Sequence, residues 1–282
     1  SSAGARVLTA SSSPGIALMG ETLSYLAGSH LPSVIINVQR VGPGLGYIWP
    51  EQSDYNMVIK GGGNGIYKNI VLAPNSAQEM ADCAYKSFEL AEKYRMTVMI
   101  LTDAYIGQMM EPVSFPTTIL KNKRKDWALY ADKESKKNLI TSIYMTREEL
   151  NKNIDSLLNK YKLLEKEIID YEETYVEDSE YVIVAFGICS RIALTAIRTL
   201  RNEGIKIGLF RPKTLFPFPK NRLYELSKTA KASLVFELNE GQMADDVELA
   251  IKSSIPVHKL GWYGGNVPTA PELISRIKNT IL

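Results

Sequence analysis

Histidine is nearly missing: His30 and His258 are the only two in 282 residues. A histidine-based metal site or a Ser/His/Asp triad therefore has little to draw on. Cysteine is as scarce. Cys83 and Cys189 stand far apart, and two thiols cannot build a four-thiolate zinc or iron–sulfur site within one chain. The composition is that of a cytosolic protein, which favours free thiols over an isolated disulfide. Cys83 falls on an apolar helix face, the usual place of a small buried hydrophobe. No apolar run approaches the roughly 18 residues of a membrane span. The formal net charge of +2 gives no large cationic field for nucleic acid.

What is present is an ordinary globular composition, 45% hydrophobic and 23% charged, in a chain long enough for two domains. The opening SSAGARVLTA carries no charged leader, no apolar signal core and no initiator Met, and runs almost at once into a strand-like segment. It reads as a fragment, or as a chain lacking an upstream part of its first domain.

Short apolar runs alternate with helix-period segments. RVLTA (6–10), SVIINV (33–38), NIVLA (69–73) and TVMILT (97–102) read as buried strands, being short, β-branched and bounded by turn residues. Between the first two, Ser13 suits an N-cap and Pro14 a first helical position, and Ile16, Met19, Leu23 and Leu26 recur at helical spacing. Between the third and fourth, Ser76 and Glu79 fit a capping box ahead of an apolar face of Ala77, Met80, Ala84, Phe88 and Ala91. Such alternation predicts a parallel sheet covered by helices.

From Glu111 to Met145 the pattern dissolves into a linker or covering segment, with Trp127 and Tyr130 as anchors. A second capping box, Thr146 with Glu149, then opens a stripe of Leu150, Ile154, Leu157, Tyr161, Leu164, Ile168 and Tyr171 in steps of four and three. That stripe packs either onto the body of this chain or onto a partner subunit. From Glu180 alternation resumes: EYVIVAFG, KIGLF, ASLVFEL and PVHKLG are strands, and SRIALTAIRTLRNEG, KNRLYELSKTA, GQMADDVELAIKS and PELISRIKNTI are helices. The expected fold class is α/β: two open, mainly parallel sheets flanked by helices. The expected domains are 1–115 and 179–282, joined by a helical linker over 116–178.

In open parallel sheets, ligands bind beyond the carboxyl ends of the strands. Three segments emerge there in the first domain: SSSPG, QRVGPGLGYIWPEQSDY and DAYIGQ. The first offers hydroxyls and free helix N–H groups, a site for an anion or polar ring, or simply a capped helix start. GGGNG (61–65) lacks the Lys-Ser/Thr ending of a P-loop, and no helix pattern follows it, so it reads as a flexible turn. Arg40 closes an apolar strand, which carries its guanidinium to the sheet edge, where it can grip a carboxylate with two prongs. The glycines beyond it let backbone approach closely, and Tyr47, Ile48 and Trp49 can wall off an apolar pocket. The alternative is an arginine paired with Glu51 or Asp54 for structure. There is no Gly-Asp-Gly followed by Asn-Asn to hold a metal and pyrophosphate, no G-x-G-x-x-G after a strand and no His-Glu-x-x-His. A catalytic chain of this kind supplies part of a site that other chains complete.

Six segments together carry a resemblance: GARVLTASSSPGIALMGE, LPSVIINVQRVGPGLGYIWPEQSDYN, NIVLAPNSAQEM, AEKYRMTVMILTDAYIGQM, GLFRPKTLFPFP and NEGQMADDV. Over essentially its whole length the chain resembles the α subunit of 2-oxoacid:ferredoxin oxidoreductases. GPGLG-x-x-x-PEQ-x-DY is most similar to the branched-chain (2-oxoisovalerate, or 3-methyl-2-oxobutanoate) type, whereas 2-oxoglutarate enzymes more often carry GPSTG and Thr-Glu-Gln. The resemblance implies a cytoplasmic, multi-subunit oxidoreductase of anaerobic metabolism. It converts a 2-oxoacid and coenzyme A into acyl-CoA and carbon dioxide, reducing ferredoxin. It implies a domain facing the pyrimidine half of thiamine diphosphate and a transketolase C-terminal-like domain. The β subunit would hold the diphosphate, its Mg2+ and an iron–sulfur cluster, with γ- and δ-type subunits completing the complex. No metal is assigned to this chain. Arg40 occupies the position of the family's substrate-carboxylate arginine and is assigned to the catalytic centre. Thr9, Ser11, Ser12 and Ser13 match a loop near the cofactor, and Arg40, Gly44, Leu45 and Tyr47 form the substrate pocket. The family's Tyr-Pro-Ile-Thr-Pro segment and the glutamate that engages the aminopyrimidine lie upstream of SSAGA in relatives. Their lack here implies a truncated or incompletely represented chain. Two rival readings stand: a non-catalytic scaffold docking partners through the heptad helix, and a stand-alone nucleotide-binding protein using GGGNG.

Overall fold

The structure, a computed structural model, describes residues 1–117 and 122–281. Strands β1 (Leu8–Ser11), β2 (Ser33–Gln39), β3 (Ile70–Leu72) and β4 (Thr97–Asp103) form the first sheet in the parallel order β1-β2-β4-β3. All seven residues of β4 are buried, as expected of a strand covered on both faces. β1 departs from expectation. It is the edge strand, with β2 as its one neighbour, and Leu8, Thr9 and Ala10 are exposed.

Helices α1 (Ser13–Ala17), α2 (Gly20–Gly28), α3 (Tyr55–Ile59), α4 (Ala77–Tyr94) and α5 (Ala104–Gly107) accompany this sheet. The single helix expected after Ser13 breaks between α1 and α2, leaving Leu18 89% exposed. The cause is a close backbone contact: a Cβ on Gly20 would lie 2.6 Å from the Gly62 carbonyl oxygen. The GGGNG segment packs against that break, and no helix follows it directly. The N-cap also shifts: Ser12 holds the cap position and makes no side-chain cap, and Ser13, the expected cap, gives its hydroxyl to Asp54. At α4, Ser76 accepts from the Glu79 N–H at 3.1 Å, but the Glu79 carboxylate reaches past the cap to Asn75 N and to Arg211.

Among the described residues from 108 to 146, one short 3-10 turn, Ser135–Lys137, is formed. Trp127 and Tyr130 do act as anchors: Arg95 lies 4.7 Å from the Trp127 ring, and the Tyr130 hydroxyl packs against Gly4, 2.3 Å from where a Cβ would stand. Helix α6 (Arg147–Glu167) opens with both bonds of its capping box in place. Leu157, Tyr161, Leu164 and Ile168 sink into the main core, so the middle of the stripe packs within this chain, while Leu150 stays 43% exposed. Tyr171 leaves the stripe. It opens β5 (Tyr171–Thr174) and stacks on Phe210 with ring centroids 5.1 Å apart.

The second sheet runs β10-β9-β6-β7-β5, comprising β6 (Tyr181–Val184), β7 (Ile207–Pro212), β9 (Ala232–Glu237), β10 (Val257–Gly261) and β5, which alone pairs antiparallel. Helices α7 (Gly187–Asn202), α8 (Lys220–Ser227), α9 (Gln242–Ile251) and α10 (Ala270–Ile281) stand where periodicity placed them. Strand β8 (Thr214–Phe216) follows β7 directly, yet joins the first sheet antiparallel to β3. One core cluster accordingly draws residues from both sheets. Both cysteines are free; burial pushes the Cys83 thiol up to about 12.

Candidate active site

The carboxyl end of β2 sets the site. Parallel pairing to β4 buries Asn37 and Gln39 and delivers Arg40, half-buried, to the rim. The Ser13 hydroxyl accepts from the Arg40 backbone N–H at 3.1 Å and donates to Asp54 Oδ2 at 2.7 Å. Asn37 Nδ2 donates to the same oxygen at 3.0 Å, and Gln39 Oε1 accepts from Asp54 N. Burial pushes the Asp54 carboxyl above its ordinary range against the pull of those bonds; the Glu51 charge adds to the rise and the Arg40 charge opposes it.

Beyond Arg40 the chain makes a closed excursion. Arg40 bridges Pro50, Val41 N donates to Trp49 O at 2.9 Å, and Tyr47 N donates to Val41 O at 3.1 Å. Gly46 is required at the tip: its φ is +52°, and a Cβ there would fall 1.7 Å from the Val41 oxygen. Leu45 is 79% exposed, and the Tyr47 and Trp49 rings pack against each other, tilted by 55°, with centroids 4.6 Å apart.

The following Pro-Glu-Gln run seams the two sheets together. Glu51 accepts from Gly264 N at 2.8 Å and Gly42 N at 3.4 Å. Gln52 behaves as a strand-like partner of Leu238: its N–H donates to Leu238 O, and its Oε1 accepts from Leu238 N at 3.1 Å. Its Nε2 donates to Phe186 O, and its own carbonyl accepts from Asn239. The Tyr55 hydroxyl donates to Asp246 at 2.8 Å. These bonds bring Glu240, Gln242, Tyr263 and Gly264 of the second body opposite Arg40, across a cleft of about 980 Å³. Pro14, Leu18, Pro43, Leu45 and Met57 form its apolar wall, and among the described residues Arg40 is its single cation.

Ser13, Arg40, Gly44 and Leu45 line that cleft; Thr9, Ser11, Ser12 and Tyr47 do not. Thr9 lies exposed on the edge strand, Ser11 packs its hydroxyl under Gly15, and Tyr47 turns onto Trp49. Glu51 and Asp54 are not structural ion partners of Arg40. Both Glu51 oxygens and Asp54 Oδ2 are bound as described, and among the described residues Arg40 forms no ion pair. Its Nε is buried with no hydrogen-bond partner among the described residues, as are Asn37 Oδ1 and Gln39 Nε2. Three of the six such atoms among the described residues thus fall within four positions of the chain. Asp103, at the end of β4, is the opposite case: it accepts from Tyr105, Ile106 and Ile188 N–H groups and is closed off. Among the described residues, no group of three or more His, Cys, Asp or Glu could hold a metal. No helix there is long and apolar enough to cross a membrane.

Residues 1–181 match the family model described as pyruvate flavodoxin/ferredoxin oxidoreductase, thiamine diphosphate-binding. Residues 179–273 match that of pyruvate:ferredoxin oxidoreductase core domain II. The chain belongs to the 2-oxoacid:ferredoxin oxidoreductase family. It is 47% identical to the ketoisovalerate oxidoreductase subunit VorB of Methanothermobacter marburgensis, over 98% of this chain and 78% of that one. It is 29% identical to the 2-oxoglutarate synthase subunit KorA of the same organism, over 97% and 80%. The relatives are thus oxidoreductase subunits, as the resemblance implied. Among solved structures, the 2-oxoglutarate:ferredoxin oxidoreductase of Magnetococcus marinus matches the whole chain with a TM-score of 0.86 at 24% identity. The chain spans 54% of that protein's length. A split-gene transketolase matches at 0.55. The expected pair of mainly parallel sheets is the family's fold.

Proposed function

We propose that this chain is the α-type subunit that holds the substrate's carboxylate in a 2-oxoacid:ferredoxin oxidoreductase, acting on a monoanionic 2-oxoacid with a branched apolar side chain. The observation that carries the reading is the Arg40 guanidinium, which forms no ion pair and is the one cation that the described residues bring to the cleft. A planar donor left without a partner fits a planar carboxylate. Leu18, Leu45 and Met57 suit the remainder of the acid. A 2-oxoglutarate would bring a second carboxylate among Glu51, Asp54 and Glu240, with no cation to meet it. The implied products are acyl-CoA, carbon dioxide and reduced ferredoxin.

The donor set also says which part of thiamine diphosphate fits. Ser13, Ser53 and Gln242 beside an apolar wall suit a polar ring. Three acids and one arginine do not suit a diphosphate with its Mg2+, which this reading assigns to a β-type subunit carrying an iron–sulfur cluster. Bound cofactor supplies the electron sink for decarboxylation. This chain's share is alignment: Arg40 fixes the carboxylate, and the Gly44–Leu45 loop encloses the rest. γ- and δ-type subunits, coenzyme A and ferredoxin complete the cytoplasmic assembly. Residues 1–115 then face the cofactor, 116–178 link, and 179–282 form the transketolase-like unit, with β5 and β8 crossing those limits.

In the assembled complex, Arg40→Ala is expected to raise KM for 3-methyl-2-oxobutanoate about a hundredfold, the loss of a two-pronged charged bond. An unchanged kcat/KM refutes the assignment. A complex that turns over 2-oxoglutarate faster favours the sister type.

A further inference from the structure

Asp54 is the charged group nearest the logic of this cleft, and its role is not that of a salt-bridge partner. It lines the same cavity as Arg40, and the two charges act on each other without closing an ion pair. One carboxylate oxygen, Oδ2, accepts two side-chain bonds, from Ser13 and Asn37. Ser13 in turn holds the backbone N–H of Arg40. Asp54 therefore reaches Arg40 twice: through a hydroxyl relay that fixes the strand end, and through space as a negative charge.

We infer that Asp54 is a positioning residue that keeps Arg40's hold on a carboxylate weak, an inference resting on the function proposed above. A carboxylate bound too tightly must give up that binding when it departs as neutral carbon dioxide. Ground-state stabilisation by Arg40 alone would raise the barrier. A fixed negative charge beside the guanidinium competes with the incoming carboxylate and lowers ground-state affinity. The relay meanwhile preserves the geometry, so alignment survives while affinity drops. This separates two duties that a direct Arg–Asp pair would merge: such a pair would withdraw the guanidinium from substrate.

The test is Asp54→Asn, which keeps an acceptor for Ser13 and removes the charge, with Asp54→Ala removing both. In complex stripped of thiamine diphosphate, 3-methyl-2-oxobutanoate is titrated calorimetrically against wild type, Arg40→Ala and both Asp54 variants. With Asp54→Asn, affinity is expected to rise roughly three- to thirtyfold, the span of one charge acting through water or protein at this range, while kcat in the loaded complex falls. Asp54→Ala loosens the strand end and lowers affinity and kcat together. Weaker or unchanged binding by Asp54→Asn, with its thermal midpoint intact, overturns the inference. Wild type and Arg40→Ala binding alike instead overturns the function on which it rests.

Discussion

Two strand ends face each other across the cleft's seam, and they could hardly be less alike. β2 ends in Arg40, whose Nε is buried and partnerless, flanked by the orphaned amide atoms of Asn37 and Gln39. β9 ends in Glu237, an ionisable group that is fully buried, but both of its oxygens are hydrogen-bonded. Its Oε2 accepts from Met243 N and Asn239 Nδ2, and its Oε1 from Ala244 N, all within 3.0 Å. The N–H groups at the start of α9 close around it as they would around an anion. The lesson concerns how to read buried charge. A satisfied one holds architecture, and a deprived one marks where something else is meant to bind.

The largest expected effect tests the satisfied end. Glu237→Gln keeps the shape but cannot accept all three N–H bonds, and costs about 2–4 kcal/mol of stability at pH 5. Burial has raised Glu237 to about 7 from an ordinary 4.5, so the folded chain binds its proton more tightly than the unfolded one. Its contribution is therefore complete below about 4.5 and is lost as pH rises through about 7, on the order of 3 kcal/mol in all. Glutamine does not titrate, so the penalty for the substitution should shrink between pH 5 and 7.5 in denaturant titrations. A penalty that grows over that window means the carboxylate is held as an anion. The deprived end should behave oppositely. Arg40→Ala, severe for substrate, is expected to shift stability by less than about 1 kcal/mol, because no partner is left behind unpaired. A large loss would mean Arg40 is architectural and the comparison is false.

How much of this was legible beforehand follows from the range of the interactions. Periodicity located the helices and the long strands, since the covering layers impose it residue by residue. Arg40 was legible because an arginine closing an apolar strand is a local anomaly. β5 and β8 were not: YEET prolongs a helical stripe and TLF is too short to stand out, and both are strands only because β7 and β3 await them. The Gln52–Leu238–Asn239 seam joins positions some 186 residues apart and leaves no trace in either segment alone. The broken helix after Ala17 has the same origin, a tertiary contact between Gly20 and Gly62 overriding a good helical pattern. The cofactor-loop serines look alike in sequence, yet the fold gives Ser13 a hydrogen-bonding task at the cleft, while Ser11 and Ser12 are not among its lining residues.

The smallest effect sharpens the comparison with a third polar cluster, distant from the cleft. His30 bridges α6, with Nδ1 2.6 Å from Lys160 Nζ and Nε2 beside Asn153 Oδ1, while its carbonyl accepts from Arg95. Lys160 must donate to Nδ1, so the ring is neutral and carries its proton on Nε2. Burial first, then the Lys160 charge and that of Arg95, lower the ring to about 4, overcoming the bond it donates to Asn153. The unfolded ring titrates near 6.5, so the unfolded chain takes up the proton first. Stability from His30 is thus present above about 6.5 and lost as pH falls through about 4, the reverse of Glu237. The ring is partly exposed, and solvent screening holds the effect to about 1–2 kcal/mol. His30→Asn suits the left-handed backbone at φ 51° and abolishes the titration. Its thermal midpoint should lie furthest below wild type at pH 7.5 and draw level towards pH 5. A deficit that widens on acidification would show the ring protonated in the fold, and Lys160 displaced from it.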